Sequence, residues 1–146
     1  MILRTISIRF TDKFATDKGT IAEHQNIIND NGYVWYGKLG TCPSLRVQNQ
    51  IMGNFNPRIL LIHSGKMDRY WLYISEISKN PEVEYIPGYY RKEYQKFGCW
   101  FKVTKIEQAH NNVISKCVVA SSGVPLGEAS KHSMSPYFII DYEGDE

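Results

Sequence analysis

No stretch of this chain is long and apolar enough to cross a bilayer: its longest aliphatic run, Ile59-Leu60-Leu61-Ile62, falls far short of the roughly 20 residues a membrane helix needs. The start, Met1-Ile2-Leu3-Arg4, lacks the build of a signal peptide, so a soluble, cytoplasmic protein with no membrane partner is expected. Cysteine is scarce. Cys42, Cys99 and Cys117 are odd in number and form no Cys-x-x-Cys pair, which argues against a disulfide framework or zinc knuckle and predicts reduced, partly buried thiols. His24, His63, His110 and His132 show no metal-ligand spacing. Gly-x-Ser-x-Gly, Walker and dinucleotide fingerprints are all missing, so neither a cofactor, a metal nor a catalytic residue is expected.

What is present suits one domain with its own core: 146 residues, 42% hydrophobic and 22% charged. The net charge is only +2, but it is unevenly spread. Asp141, Glu143, Asp145 and Glu146 hold four of the 15 acids, leaving 17 cations against 11 acids before them. A basic domain over residues 1–140 and an acidic tail over 141–146 are therefore expected. Within 91–116, Arg91, Lys92, Lys96, Lys102, Lys105 and Lys116 outnumber Glu93 and Glu107, a strip that favours polyanions.

The periodicity predicts a first strand over Ile2 to Phe10, then a helix opened by a Thr20-Ile21-Ala22-Glu23 capping box and stopped at Asn31-Gly32. A second short helix follows between Pro43 and Gly53. Arg58 to His63 and Arg69 to Ile77 read as a central hairpin, with Trp71, Tyr73, Ser75 and Ile77 on one face. Strands are further expected over Gly98–Gln108 and Val113–Ala120, with a last apolar run over Tyr137–Ile140. The order implies an α+β fold, a curled sheet or partly open β-barrel flanked by short helices.

The aromatics carry the functional signal. Tyr33-Val34-Trp35-Tyr36-Gly37-Lys38 sets three rings beside a glycine and a cation, a combination suited to stacking a base next to a phosphate, although half-buried strands of ordinary cores look similar. Tyr85, Tyr89, Tyr90, Tyr94, Phe97, Trp100 and Phe101 then fall within seventeen residues, interleaved with Arg91, Lys92 and Lys96. That is more rings than one strand face buries. Exposed rings with cations stack bases and neutralise phosphates; the same loop would equally serve as a protein contact.

The succession of a capped helix, Gly32-Tyr33-Val34-Trp35, a hairpin ending Tyr73-Ile74-Ser75-Glu76-Ile77, a strand led by Trp100-Phe101-Lys102-Val103, and the Ser121-Ser122-Gly123-Val124-Pro125-Leu126 loop resembles the EVE and YTH branch of PUA-like domains. The resemblance implies a prokaryotic, non-catalytic reader of DNA or RNA that holds a modified, chiefly methylated, base in an aromatic cage. It also implies a link to restriction or defence, with an effector protein as a further partner. Trp35 matches the first cage ring; Tyr36, Tyr85, Tyr89 and Tyr90 are the candidates to complete the grip, with Ser7 and Asn26 at the base edge. Lys38, Arg91, Lys92, Lys96, Lys102 and Lys105 are the candidate phosphate contacts. Two alternatives stay open: an enzyme acting on a nucleotide or metabolite through Cys99, His63 or Glu76, and an interaction adaptor using the tyrosine-rich loop.

Overall fold

β1 (Ile2–Phe10) alternates apolar and polar residues, but both of its faces are covered, and it lies deep in the sheet. A computed structural model describes residues 2–144 except 14, 16 and 134, with Tyr90 described by its backbone alone. β1 is followed by α1 (Thr20–Asn31), β2 (Val34–Lys38), β3 (Gly40–Thr41) and α2 (Leu45–Met52). β4 (Arg58–His63), β5 (Arg69–Ser78), β6 (Phe97–Gln108), β7 (Cys117–Val119), α3 (Leu126–His132) and β8 (Tyr137–Glu143) complete the chain. The strands form one open eight-stranded sheet in the order β2-β6-β5-β4-β1-β8-β7, with β3 added on β6. Its pairs are antiparallel except β1 with β4 and β3 with β6. The expected α+β class and the central place of the β4–β5 hairpin are both observed.

The main core lies on one face, where Ile6, Ile8, Val34, Ile59, Leu61, Leu72, Phe101 and Val103 pack under α1 and α2. Leu3, Leu60, Trp71, Val113, Cys117, Leu126 and Ile140 form a second cluster on the opposite face, closed by α3. Register irregularities around Ile74 turn the end of β5 over, so Ile77 joins the main core rather than sharing a face with Trp71.

Several local expectations are corrected. The Thr20 side chain does not cap α1: its N–H donates to Asp12 Oδ1 at 2.8 Å and its hydroxyl to the Thr11 carbonyl at 3.2 Å, so the free helix end is met from eight residues upstream. Gly32 closes the helix as expected, at φ 91° with its N–H on the Ile28 carbonyl. Of the strand expected over 113–120 only Cys117–Val119 pairs; a 3₁₀ turn occupies Val113–Lys116, and α3 follows the loop over 121–125 where no helix is expected from the sequence. Cys42 and Cys99 are bonded as a disulfide, where reduced thiols were expected; the parallel β3–β6 pairing brings together cysteines 57 residues apart. Cys117 alone is free and buried. β8 runs three residues past the expected domain boundary, and Asp141 holds Arg4 through two hydrogen bonds. Asp145 and Glu146 lie outside the described residues.

Candidate nucleic-acid interface

A cavity of about 490 Å³ opens where β1 ends and α1 begins, walled by β2, the 3₁₀ segment Gly88–Lys96 and the turn into β8. Tyr36 reaches it because β2 alternates: Val34 and Tyr36 face the main core while Tyr33 and Trp35 face away. Behind Tyr36 lies the ring of His24, 5.1 Å away on the buried face of α1. Burial pushes the Tyr36 hydroxyl well above its ordinary range. Tyr89 on the opposite wall is pushed up to about 12, by burial first, and is hydrogen-bonded to Thr20.

Lys38 supplies the charge. It is 4% exposed, donates to the carbonyls of Leu39 at 3.0 Å and Thr41 at 2.8 Å, and sits 4.0 Å over the Tyr137 ring. Burial lowers its pKa, and no carboxylate pairs with it among the described residues. Lys96 stands at the rim, 3.4 Å from Glu93, and Arg9 is fixed by the Ser130 and Ser133 carbonyls. The result is an apolar, ring-lined slot with one buried cation and a cationic rim.

The other candidates lie elsewhere. Trp35 is 2% exposed, buried with Ile86 and Trp100, and its indole donates to Glu82 Oε1 at 3.3 Å. Neither ring face is open to a base in this arrangement. Tyr85 packs edge-on to Tyr33 at 4.8 Å, and Lys102 covers Tyr33 at 4.2 Å, so both belong with Trp35 on the far side of β2. Gly37 also serves the fold: a Cβ there would meet the Trp100 ring at 2.7 Å. Ser7 is buried in β1 and Asn26 is exposed on α1, neither in the cavity wall. Arg91 is occupied by the Ile86 and Glu84 carbonyls, Lys92 is exposed, and Lys105 pairs with Glu107 at 3.4 Å. The Tyr90 side chain lies outside the described residues. Four candidates, Tyr36, Tyr89, Lys38 and Lys96, are thus brought to one cavity. Tyr137 and Arg9 join them unforeseen, since only the meeting of distant strands makes them neighbours, and Phe97 of the aromatic run lines the same wall.

The enzyme alternative finds less support in the geometry. Cys99 is in the disulfide; His63 is stacked on Phe10 and held by Asp12 at 2.8 Å and Asp68 at 3.5 Å; Glu76 is exposed on β5. Burial pushes the Asp12 carboxyl up, but the Thr20 N–H and hydroxyl, with His63, hold it below its ordinary range. No cluster of three metal-ligating side chains occurs among the described residues, and no helix among them is long and apolar enough to cross a membrane.

His24 makes a measurable prediction. Burial lowers its pKa from 6.5 to about 4, outweighing the Thr20 carbonyl that accepts from Nδ1 at 2.8 Å. Between those values the unfolded chain binds more protons than the folded one, so stability present above pH 6.5 is lost as the pH falls towards 4. The loss is on the order of 3 kcal/mol. Urea titrations across that range should show it, and His24→Gln should flatten the dependence even if it lowers stability at pH 7.

An open mixed sheet flanked by short helices, with a ring-lined cavity at the strand ends, defines an α+β binding scaffold. A family model of PUA-like domains matches residues 6–141, and the chain belongs to that family. PUA-like domains are a nucleic-acid-binding fold family, generally binding modules rather than enzymes. Comparison with curated proteins and with solved structures gives no match.

Proposed function

We propose that this protein binds a nucleic-acid strand and receives one base, flipped from a duplex or presented in a single strand, in the cavity between Tyr36, Tyr89 and Tyr137. The observation that carries this reading is Lys38, a buried ammonium that pairs with no carboxylate among the described residues, at the wall of a ring-lined slot. Two of its protons are used by carbonyls, which leaves one for a carbonyl or ring nitrogen of a base or for a phosphate. Tyr89 supplies a stacking face, and Lys96 with its neighbour Lys92 takes backbone phosphates. On this reading the chain is a modified-base reader of the EVE and YTH kind, with the cage moved from Trp35 to the tyrosines. The walls of Ile8, Phe10 and Phe97 favour a base carrying an added methyl, worth about 1 kcal/mol by burial alone.

Fluorescence anisotropy with matched oligonucleotides, modified and unmodified, tests the proposal. Affinity should fall with salt at a log–log slope of roughly −2 to −3, as for about three phosphate contacts. Tyr89→Ala should weaken binding of the modified base by roughly tenfold, while Lys92→Ala and Lys96→Ala should weaken both targets alike. A flat salt response, or a Tyr89→Ala protein that is folded and binds as before, would overturn it.

A further inference from the structure

A second cavity, about 560 Å³, opens on the opposite face of the sheet, beside the second core cluster. Its floor is Arg58, the first residue of β4, and only 4% of that residue is exposed. The guanidinium lies 4.4 Å over the Trp71 ring, with the rings of Tyr73 and Tyr142 at 5.7 and 5.8 Å. Its Nη1 makes a long 3.4 Å hydrogen bond to the Tyr73 hydroxyl, and its Nε is buried with no hydrogen-bond partner. Among the described residues no carboxylate forms an ion pair with Arg58.

A buried, unpaired guanidinium is costly to keep, and stacking on rings offsets only part of that cost. Three aromatic faces hold the planar fork in one orientation, the preorganisation that two-point recognition of an oxyanion needs. The charge balance narrows the choice of anion. Among the described residues Glu107 is the one carboxylate in the wall; the Tyr73 hydroxyl donates to it at 2.9 Å, and Lys105 pairs with it at 3.4 Å. The Tyr73 hydroxyl first, and Lys105 and Arg58 through their charges, hold the Glu107 carboxyl below its ordinary range, so Arg58, Lys105 and Lys116 against Glu107 leave an excess of two positive charges at the wall, close in size to the charge of a phosphate monoester near neutral pH. Gln108, His110 and Asn112 add polar groups around the mouth, and the volume suits a ligand of nucleotide size.

We propose that this cavity is a phosphate site, in which Arg58 and Lys116 take a phosphate monoester while Trp71 and Tyr73 wall the group that bears it. The phosphate could come from a free mononucleotide or from the 5′-phosphorylated end of a strand. The site stands independently of the base cavity, with which it shares no lining residue.

The full chain, ¹⁵N-labelled, is titrated with inorganic phosphate, adenosine 5′-monophosphate, adenosine, and a short oligonucleotide with or without a 5′-phosphate, following the Arg58 Nε–H and Trp71 indole signals. The expected result is a saturable shift of both signals with phosphate and the monophosphate and none with adenosine. A response to the phosphorylated oligonucleotide that is absent with its 5′-hydroxyl twin, and stronger than that to the mononucleotide, assigns the strand end as the source. The reverse order assigns the free nucleotide. Lys116→Gln should weaken the response by about tenfold, and Arg58→Met should abolish it. No saturable shift with any phosphate-bearing probe overturns the proposal. So does an Arg58→Met protein that is more stable and still binds, because the arginine would then be a stacked structural cation. Should Arg58→Met fail to fold, the wild-type titration and Lys116→Gln decide by themselves.

Discussion

Replacing Trp35 with alanine is expected to cost roughly 3–5 kcal/mol of stability, the range for removing a large buried aromatic, and so to consume much of what a small domain has. The ring fills the space between Ile86 and Trp100, and its N–H meets Glu82, whose other oxygen accepts from the Tyr33 hydroxyl at 2.5 Å. Alanine would open a cavity beneath the 3₁₀ turn Val83–Tyr85 and leave the Glu82 carboxylate with one donor fewer. Trp35→Phe keeps most of the apolar contact and loses the hydrogen bond, so a loss nearer 1–2 kcal/mol is expected. Denaturant unfolding of both variants, beside oligonucleotide binding, separates a structural from a base-gripping tryptophan. A Trp35→Ala protein of near wild-type stability that has lost its preference for a modified base would restore Trp35 to the cage and displace Tyr36 and Tyr89 from that role.

Ending the chain after Ile140 is expected to abolish cooperative unfolding. Residues 141–143 look like a detachable acidic tail by composition, yet they pair with Ile2, Leu3 and Arg4 of β1, and Asp141 and Tyr142 also pair with β7. The truncation would remove the Arg4–Asp141 ion pair and take the buried Tyr142 ring from its edge contact with Trp71 at 5.1 Å and from above Arg58. Three of the seven residue pairs between β1 and β8 would go, leaving Ile2, Leu3 and Arg4 without their β8 partners, and Arg58 would lose one wall of its setting. Ending the chain after Gly144 keeps every one of these contacts, so its midpoint should stay within about 0.5 kcal/mol of wild type. Equal stability of the two truncations would show that the end of β8 contributes nothing.

Strands, helices and fold class were legible wherever one short-range pattern was enough. Alternation located β1, β5 and β6, a short aliphatic run located β4, three- and four-residue spacings located α1 and α2, and Gly32 marked a left-handed stop. The concentration of rings and cations between Tyr33 and Lys105 was legible in the same way, and the site proposed for a base draws on it. Which rings form that site was not. Trp35 and Tyr36 are adjacent in sequence and equally aromatic, and only their order along a pleated strand, set by pairing with β6, sends one under Trp100 and the other to the cavity. Arg58 carried no signal at all, because its three rings come from β5 and β8, and a buried cation looks in sequence like any strand-edge arginine. The Cys42–Cys99 bond and the strand character of Asp141 to Glu143 depended in the same way on partners far along the chain. Local composition determined which elements form and which chemistry is on hand, because both follow from neighbours within a few residues. Tertiary structure alone decided which side chains meet, because strand order and register join residues that the sequence keeps far apart.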